Sequence, residues 1–293
     1  MADPNLPGPW AVAERTFELR DDARGRVFPC DVWEPEGDRS PRPLIVYSHP
    51  SLFPRRAATF LCTHLASHGY TVAAMDHSEV VVPELGRQQS ETAEQRDARM
   101  RAMIASRVPD VRALLAHFSE AEPAGIAGHS FGGWTALAAP EVEPRIRAIV
   151  ALAPGGSSIR KPGILPLTLD FRWGRDVPTL LIAAENDAAL PLEGMYEIFE
   201  RIPATKRMAI LHRADHSHFV DHIAQLHEQF RTAPMPPELA EIQNAMRPIS
   251  ELTSEEEAHR FIRGLTLTHF DAFLRGRQEA RERWDALNVI AKA

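Results

Sequence analysis

The sequence predicts an α/β protein with a doubly wound, mostly parallel sheet and helices on both faces. Short apolar runs such as residues 44–47 (Leu-Ile-Val-Tyr) are typical of strands that are buried on both faces. Helical segments separate most of these runs, and this alternation is typical of parallel sheets. The chain has 293 residues and 44% of them are hydrophobic, which is enough for one large domain with a buried core.

Eight segments have the length and apolar content of strands. The first two flank a polar turn at residues 21–25, and most of the others are short continuous apolar runs. The fourth ends at Asp76 and His77, and the fifth is the short run Gly-Ile-Ala-Gly that precedes a helix. In chain order, the predicted strands are residues 16–19, 27–33, 44–47, 71–75, 125–128, 146–152, 179–184 and 207–211.

Five segments carry helical signals. The first ends at Gly69, a common stop for a helix, and the second begins near Pro109, whose missing N–H costs little in a first turn. The last begins near Ser254, has glutamates in its first turn and ends at Gly276, and it is predicted to be the longest. In chain order, the predicted helices are residues 57–68, 109–118, 132–139, 194–201 and 254–275.

A single domain is predicted for residues 1–293. Residues 1–14 are rich in proline and are expected to form a loose arm. Residues 79–106 are polar and long for a connection, whereas residues 155–175 contain several apolar side chains. Each of these two segments is a candidate for a cap or a pocket wall, with simple packing onto the sheet as the alternative. The proline-rich stretch 233–237 is a candidate lid hinge.

Composition excludes several classes of protein. The net charge is −7, so the chain lacks the clustered positive charge that nucleic-acid binding requires. Two cysteines, Cys30 and Cys62, are too few for a disulfide scaffold and form no C-x-x-C motif. The first residues do not resemble a signal peptide, and no apolar run approaches the roughly 18 residues of a membrane span. We therefore expect a cytoplasmic protein; its oligomeric state is not predicted.

The motif Gly128-His129-Ser130-Phe131-Gly132 predicts a nucleophilic serine. It matches G-x-S-x-G between a predicted strand and a predicted helix, which is the context of a nucleophile elbow. The strained turn requires small residues two positions to either side of the serine. The helix that follows directs backbone N–H groups towards a developing anion. The alternative is a chance match in a glycine-rich loop.

A serine hydroxyl needs a base, and the base needs a third group to orient it. In this kind of fold the chain order is Ser, then Asp or Glu, then His. Asp187 follows the predicted strand 179–184 and is the predicted acid, with Glu185 as the rival carboxylate.

The base is expected after the last predicted strand, where four histidines lie within eleven residues. His216 is placed in the loop and is the predicted base, while His218 is the alternative. His222 and His218 are expected on the following helix. The cluster could instead bind a metal, but the Ser-Asp-His order makes a metal unnecessary, and no cofactor is predicted.

The oxyanion hole is predicted from two loops. The residue after the nucleophile, Phe131, supplies one backbone N–H group, and the loop after residues 44–47 supplies the other. Because Pro50 has no N–H group, Ser51 is the predicted donor and Leu52 the second choice. The alternative is an ordinary proline turn.

Three segments carry a family resemblance. Residues 67–77, 128–133 and 214–216 are similar to the platelet-activating-factor acetylhydrolase-like and dienelactone-hydrolase-like branch of the α/β-hydrolase superfamily, and the similarity covers residues 27–275. Dienelactone hydrolases use a cysteine nucleophile, so Ser130 favours the acetylhydrolase-like or polyester-esterase-like side. The family commonly has His-Gly where this chain has His49-Pro50. This difference affects which residue of the loop donates its N–H group to the oxyanion, because proline has no N–H group.

The resemblance implies a serine esterase that cleaves small-molecule carboxylic esters through an acyl-enzyme without a cofactor. It assigns Ser130, Asp187 and His216 as the triad, with Ser51 and Phe131 as oxyanion donors. Two alternatives remain open. An amidase, peptidase or carbon–carbon hydrolase would use the same triad, and an inactive binding protein could share the fold.

Overall fold

The computed structural model describes residues 3–37, 42–86, 88, 90–118, 123–288 and 290–292. Within these residues a single sheet has nine strands, in the spatial order β1-β2-β4-β3-β5-β6-β7-β8-β9. The pairs β1·β2 and β2·β4 are antiparallel, and all other neighbours are parallel. The strands are β1 (Val12–Asp21), β2 (Arg26–Pro35), β3 (Leu44–Ser48), β4 (Thr71–Met75), β5 (Ala124–His129), β6 (Ile146–Leu152), β7 (Thr179–Ala184), β8 (Lys206–Leu211) and β9 (Ile290–Lys292).

Helices cover both faces of this sheet, so the predicted doubly wound α/β fold is confirmed. Side chains of α3, α4 and α5 bury one face, and those of α1, α8 and α9 bury the other. The helices of the described part are α1 (Thr59–Ser67), α2 (Ser78–Val81), α3 (Ala93–His117), α4 (Phe131–Ala138), α5 (Leu192–Arg201), α6 (Ile223–Thr232), α7 (Ala240–Ala245), α8 (Glu255–Phe273) and α9 (Gln278–Ala286).

The central strands show why two cores form. In β3, Leu44 and Val46 join the core under α3 and α4, while Ile45 and Tyr47 join the core under α1 and α8. Side chains of a strand alternate between the two faces, so a strand covered on both faces must be apolar throughout. The continuous apolar runs of the sequence therefore mark the centre of the sheet.

Residues 3–14 do not form the predicted loose arm. Strand β1 begins at Val12, and residues before it are hydrogen-bonded to α1 and its end. The Gly8 N–H group donates to Ser67 Oγ at 2.9 Å, and His64 Nε2–H donates to the Pro4 carbonyl at 3.0 Å. The prediction failed because proline-rich composition does not reveal tertiary partners.

Residues 79–106 contain much more helix than predicted. Helix α3 begins at Ala93 and Pro109 lies inside it, so the predicted start at residue 109 is wrong. A capping box explains the true start, because the Thr92 hydroxyl accepts from the Gln95 N–H group and the Gln95 side chain accepts from the Thr92 N–H group. With 25 residues α3 is also longer than α8, which has 19 and had been predicted as the longest helix.

The carboxyl-terminal end adds a strand that was not predicted. Strand β9 pairs with β8 in parallel at the edge of the sheet, so residues 207–211 are not the last strand. Over the described ranges, no helix is both long and apolar enough to cross a membrane.

Candidate active site

Ser130 lies at a sharp turn between β5 and α4. Its backbone has φ 58° and ψ −114°, a conformation that residues other than glycine rarely adopt. A Cβ atom on Gly128 would lie 2.2 Å from the Gly132 carbonyl oxygen, and one on Gly132 would lie 1.9 Å from the Ser48 carbonyl oxygen. The spacing of the two glycines around Ser130 therefore allows three backbone segments to meet closely at the sheet edge.

His216 and Asp187 form a hydrogen-bonded pair. Residue His216 begins a short 3-10 turn after β8, and its Nδ1–H group donates to Asp187 Oδ2 at 2.7 Å. The other carboxylate oxygen, Oδ1, accepts from the N–H groups of Ala189 at 2.9 Å and Leu190 at 2.7 Å. These bonds hold the carboxylate and assign the imidazole tautomer, so Nε2 is the basic nitrogen of His216.

The electrostatics of this pair favour a basic imidazole. Burial on its own would lower the pKa of His216, but the charge and hydrogen bond of Asp187, with a contribution from Asp215, raise it above its ordinary value. The side chain of His216 is 23% exposed and that of Asp187 is 1% exposed. Asp187 is thus sealed from solvent, whereas His216 keeps contact with two cavities.

Asp215 is a second buried carboxyl beside the pair. Burial and the negative charge of Asp187 raise the pKa of Asp215 to about 6. Its Oδ2 atom is buried and, among the residues that the structure describes, has no hydrogen-bond partner. The sequence alone did not identify this residue, because its position next to His216 carries no sign of burial.

The rival residues have other partners. Glu185 accepts a hydrogen bond from the Arg213 N–H group at 3.0 Å and lies 2.6 Å from His212 Nδ1. The ring of His218 is buried, which lowers its pKa to about 4; its Nδ1 accepts from the Asp215 N–H group at 2.9 Å. The described residues contain no group of three or more His, Cys, Asp or Glu side chains that could hold a metal.

The predicted oxyanion residues, Phe131 and Ser51, line the larger cavity together with Ser130. Phe131 is the first residue of α4, so its N–H group belongs to the first turn, where backbone donors lack helical partners. Ser51 lies in a turn closed by the Phe53 N–H group and the Pro50 carbonyl, and it lines the same two cavities as Ser130. Leu52, the second choice, has φ 61° and is half exposed.

A buried charged cluster lies beneath the loop after β3. The side chains of Arg107 and Glu79 form an ion pair in which neither partner is exposed. Arg107 also donates to the His49 carbonyl at 2.8 Å and to the Pro50 carbonyl at 3.4 Å. Sequence reasoning missed this cluster, because Glu79 and Arg107 lie in and next to a polar stretch whose pattern does not reveal which charges become buried.

Two cavities of about 750 Å³ and 230 Å³ meet at the serine. Side chains from residues 79–106, 155–175 and 233–237 line these cavities. Within 155–175, Phe171 and Trp173 instead belong to the core of the sheet. The residues that line both cavities are Ser51, Ser130, Ile164, Ala189, His216 and Leu239.

Comparisons with known proteins agree with this architecture. Residues 50–230 match the family model described as PETase, PET hydrolase-like. Cutinase est1 of Thermobifida alba is 28% identical over 170 residues, which are 56% of this chain and 49% of that protein, so the chain spans about half the length of this curated relative. The solved ferulic acid esterase from Streptomyces cinnamoneus superposes with a TM-score of 0.67 at 23% identity, over 93% of each chain, and supports the fold.

Proposed function

The chain belongs to the PET hydrolase-like family, and we propose that it is a serine hydrolase that cleaves carboxylic esters with Ser130 as its nucleophile. One observation carries this proposal most strongly. The Asp187–His216 hydrogen bond of 2.7 Å lies at the same cavities as a serine in a strained strand-to-helix turn. The predicted membership of the α/β-hydrolase superfamily and the choice of the esterase side over cysteine-dependent dienelactone hydrolases agree with the family match.

In the proposed acylation step a proton moves from Ser130 to His216, and Asp187 stabilises the charge that forms on His216. His216 Nε2 removes the hydroxyl proton of Ser130 while Oγ attacks the ester carbonyl carbon. The tetrahedral intermediate then collapses, and the alcohol oxygen leaves with the proton from His216. Asp187 stabilises the imidazolium through Nδ1–H and holds the ring in the productive tautomer.

Deacylation repeats the same transfers with water. His216 removes a proton from a water molecule that attacks the acyl carbon, and Ser130 Oγ then takes the proton back as the acid departs. In both steps negative charge develops on the former carbonyl oxygen. We assign the N–H groups of Phe131 and Ser51 to this oxyanion, and one such donor contributes about 10²- to 10³-fold to kcat in related chemistry.

The proposed substrate is a small-molecule ester. The walls nearest Ser130 are mainly apolar, with Phe131, Ile164 and Leu190 among them, which suits an uncharged group next to the scissile bond. The mechanism uses side chains and backbone groups of this chain together with the water molecule of the deacylation step. A cytoplasmic location remains a prediction of the sequence.

A fluorophosphonate probe tests the proposal directly. We expect it to label the wild-type protein and the Ser158→Ala control, in which an exposed serine is removed, but not Ser130→Ala. The same three proteins are assayed on p-nitrophenyl esters and the matched anilides. Full esterase activity of Ser130→Ala would contradict the proposal, and faster anilide cleavage would assign an amidase instead. Absence of both labelling and turnover in folded wild-type protein would indicate a binding protein.

A further inference from the structure

The smaller cavity, here called the apolar chamber, has a roof built by one segment of the chain. That segment is residues 222–252, which contains α6 and α7 and follows the turn that carries His216. Most of its polar lining residues belong to the segments that carry Ser130 and His216, and Gln243 of α7 is a further one. The larger apolar side chains that line it include Phe53, Val220, Leu226, Phe230, Ile242 and Met246.

The larger cavity, here called the polar chamber, differs from the apolar chamber because charged side chains line its outer end. Arg99 donates two hydrogen bonds to Glu91, at 2.9 Å and 2.6 Å, and Arg96 lies 3.7 Å from the same carboxylate. Next to Ser130 its wall is apolar, with Phe131 and Leu167. Other polar residues at its wall are Gln88, Ser90 and Glu238. An extended group with polar atoms at its far end fits this cavity.

The position of His216 decides which half of an ester enters which chamber. Asp215, His216, Ser217 and Val220 all line the apolar chamber, whereas His216 is the one residue of this turn at the polar chamber. During acylation the leaving oxygen must accept its proton from His216, so the alcohol half lies on the side of the His216 turn. Phe131, one of the two assigned oxyanion donors, lines the polar chamber and not the apolar one.

We propose that the apolar chamber binds the alcohol half of the substrate, and that the substrates are esters of compact, uncharged, apolar alcohols with longer acyl groups that end in polar atoms. This inference rests on the proposed ester hydrolysis. The chamber volume of about 230 Å³ limits the alcohol to a short branched, cyclic or single-ring group. A charged alcohol would lose its hydration among the apolar side chains that make up most of these walls.

The test fills the apolar chamber with Ile242→Trp and uses esters that share one acyl group but differ in alcohol, from methyl to benzyl. We expect kcat/KM for the benzyl ester to fall about 10- to 200-fold relative to the methyl ester, the range in which apolar pockets discriminate by size. All these esters give the same acyl-enzyme, and its acyl group lies in the polar chamber, which Ile242→Trp does not fill. The single-turnover rate of deacylation in this variant is therefore expected to stay within a few-fold of wild type. Leu165→Trp, which fills part of the polar chamber, is the comparison variant. We expect it to lower kcat/KM for esters with long acyl groups and to leave the alcohol preference unchanged.

The outcomes separate this inference from the proposed function. Slower deacylation in Ile242→Trp, or a change in acyl-length preference without a change in alcohol preference, would place the acyl half in the apolar chamber and overturn the inference. Loss of labelling and turnover in the wild type would contradict ester hydrolysis itself. If Ile242→Trp does not fold, Phe230→Ala enlarges the same chamber, and we then expect better turnover of bulky alcohols; unchanged preference would again overturn the inference.

Arg107 carries a second, independent inference, which concerns the loop after β3. Its guanidinium donates to the carbonyl groups of His49 and Pro50, the two residues before Ser51, and to Ser48 Oγ at 3.3 Å. The same guanidinium lies 4.1 Å from the ring centroid of Phe131. One buried side chain therefore touches the segments that carry both assigned oxyanion donors.

The surroundings of Arg107 make it a rigid support. Its side chain is completely buried and pairs with the buried carboxylate of Glu79, to which Nε also donates at 3.2 Å. His49 is fixed as well, since its Nε2 accepts from the His77 N–H group at 3.0 Å and its Nδ1–H donates to the Pro50 carbonyl at 2.7 Å. Planar, multidentate hydrogen bonding of this kind is specific to arginine.

We infer that Arg107 is a positioning residue that holds the Ser51 N–H group at the oxyanion site. It does not touch the reacting atoms, so its loss is expected to weaken binding of the transition state more than binding of the substrate. The inference also rests on the proposed function. A positioning role predicts that loss of Arg107 lowers kcat at nearly constant KM. A purely structural role does not predict this separation of kcat from KM.

The test compares Glu79→Gln with the double variant Glu79→Met/Arg107→Met, which removes both buried charges and so avoids an unpaired one. We expect the double variant to lose at least about 10-fold in kcat, with KM within a few-fold, and to lose affinity for a boronic-acid transition-state analogue in parallel. Glu79→Gln keeps the bonds from Arg107 to the loop and is expected to retain kcat within a few-fold. A folded double variant with wild-type kcat and analogue affinity would overturn the inference. If the double variant does not fold, kcat and analogue affinity are measured for Arg107→Lys instead.

Discussion

Two acid–base pairs lie close to Ser130, and they differ in what they can do. In the Asp187–His216 pair the imidazole is 23% exposed at the cavities and can gain or lose a proton. In the Glu79–Arg107 pair both side chains are fully buried and the guanidinium stays charged. The comparison indicates that one pair can take part in proton transfer, whereas the other can only hold backbone in place.

Asp187→Asn is expected to have the largest effect, because it breaks the first pair without removing its hydrogen-bonding geometry. The amide oxygen can still accept from the Ala189 and Leu190 N–H groups, but the amide no longer stabilises the correct tautomer or the imidazolium of His216. We expect kcat to fall about 10⁴-fold, as for the corresponding change in a serine protease. Steady-state kinetics on an activated ester measure this fall, with circular dichroism to confirm folding. A loss of less than 10-fold would remove Asp187 from the triad.

Glu79→Gln tests the second pair through stability. It leaves the buried charge of Arg107 without its carboxylate, and breaking a buried pair in this way costs about 3–5 kcal/mol in the free energy of unfolding. Urea unfolding measures this loss. Asp285→Asn breaks the exposed Arg281–Asp285 pair and serves as the matched control, with an expected change within about 1 kcal/mol. Equal effects of the two variants would show that burial does not distinguish these pairs.

Asp215→Asn is expected to change the pH dependence of the first pair. Asp215 contributes to the raised pKa of His216, and catalysis needs neutral His216, so activity is expected to fall as pH decreases through that raised pKa. Removing the Asp215 charge is expected to move this acidic limb to lower pH. A pH profile of kcat/KM measures the shift, and an unchanged limb would contradict the expected coupling.

The same variant is expected to affect stability in one pH range. Because the folded pKa of Asp215 is raised to about 6, ionisation of this carboxyl destabilises the fold progressively as pH rises from the unfolded pKa of about 4 and fully above pH 6. Asp215→Asn is therefore expected to increase the free energy of unfolding above pH 6 by on the order of 1–3 kcal/mol, and to have little effect below pH 4. Urea unfolding at pH 4 and pH 7 checks this difference; an equal change at both pH values would contradict it.

Much of the fold could be predicted from local patterns. The strands over 71–75, 146–152 and 179–184 were predicted with the bounds that the structure gives them, because each is a short apolar run between clear breaks. Helix α3 was predicted poorly, since its amino-terminal part has no continuous apolar stripe and depends on the cap at Thr92. Strand β9 was missed because three residues at a sheet edge give no recognisable pattern.

The candidate site, like the fold, has parts that could be predicted from sequence and parts that could not. Ser130, Asp187 and His216 could be selected from sequence because their positions relative to strand ends are a property of local spacing, and parallel strands bring those ends together. The choice of Asp187 over Glu185 and of His216 over His218 was weaker on sequence alone. The structure supports it through the hydrogen bonds of each rival with other groups.

Ser130 in its glycine-flanked turn follows from sequence because the strained backbone and the close contact between Gly128 and the Gly132 carbonyl depend on neighbours along the chain. The hydrogen bonds of Arg107 to the loop after β3 and the division of the site into two chambers do not follow from sequence. Arg107 lies 58 positions from His49 along the chain, and residues of the apolar chamber come from segments as distant as Phe53 and Met246. Hydrogen bonds and apolar contacts between such segments exist only after the sheet has brought them together.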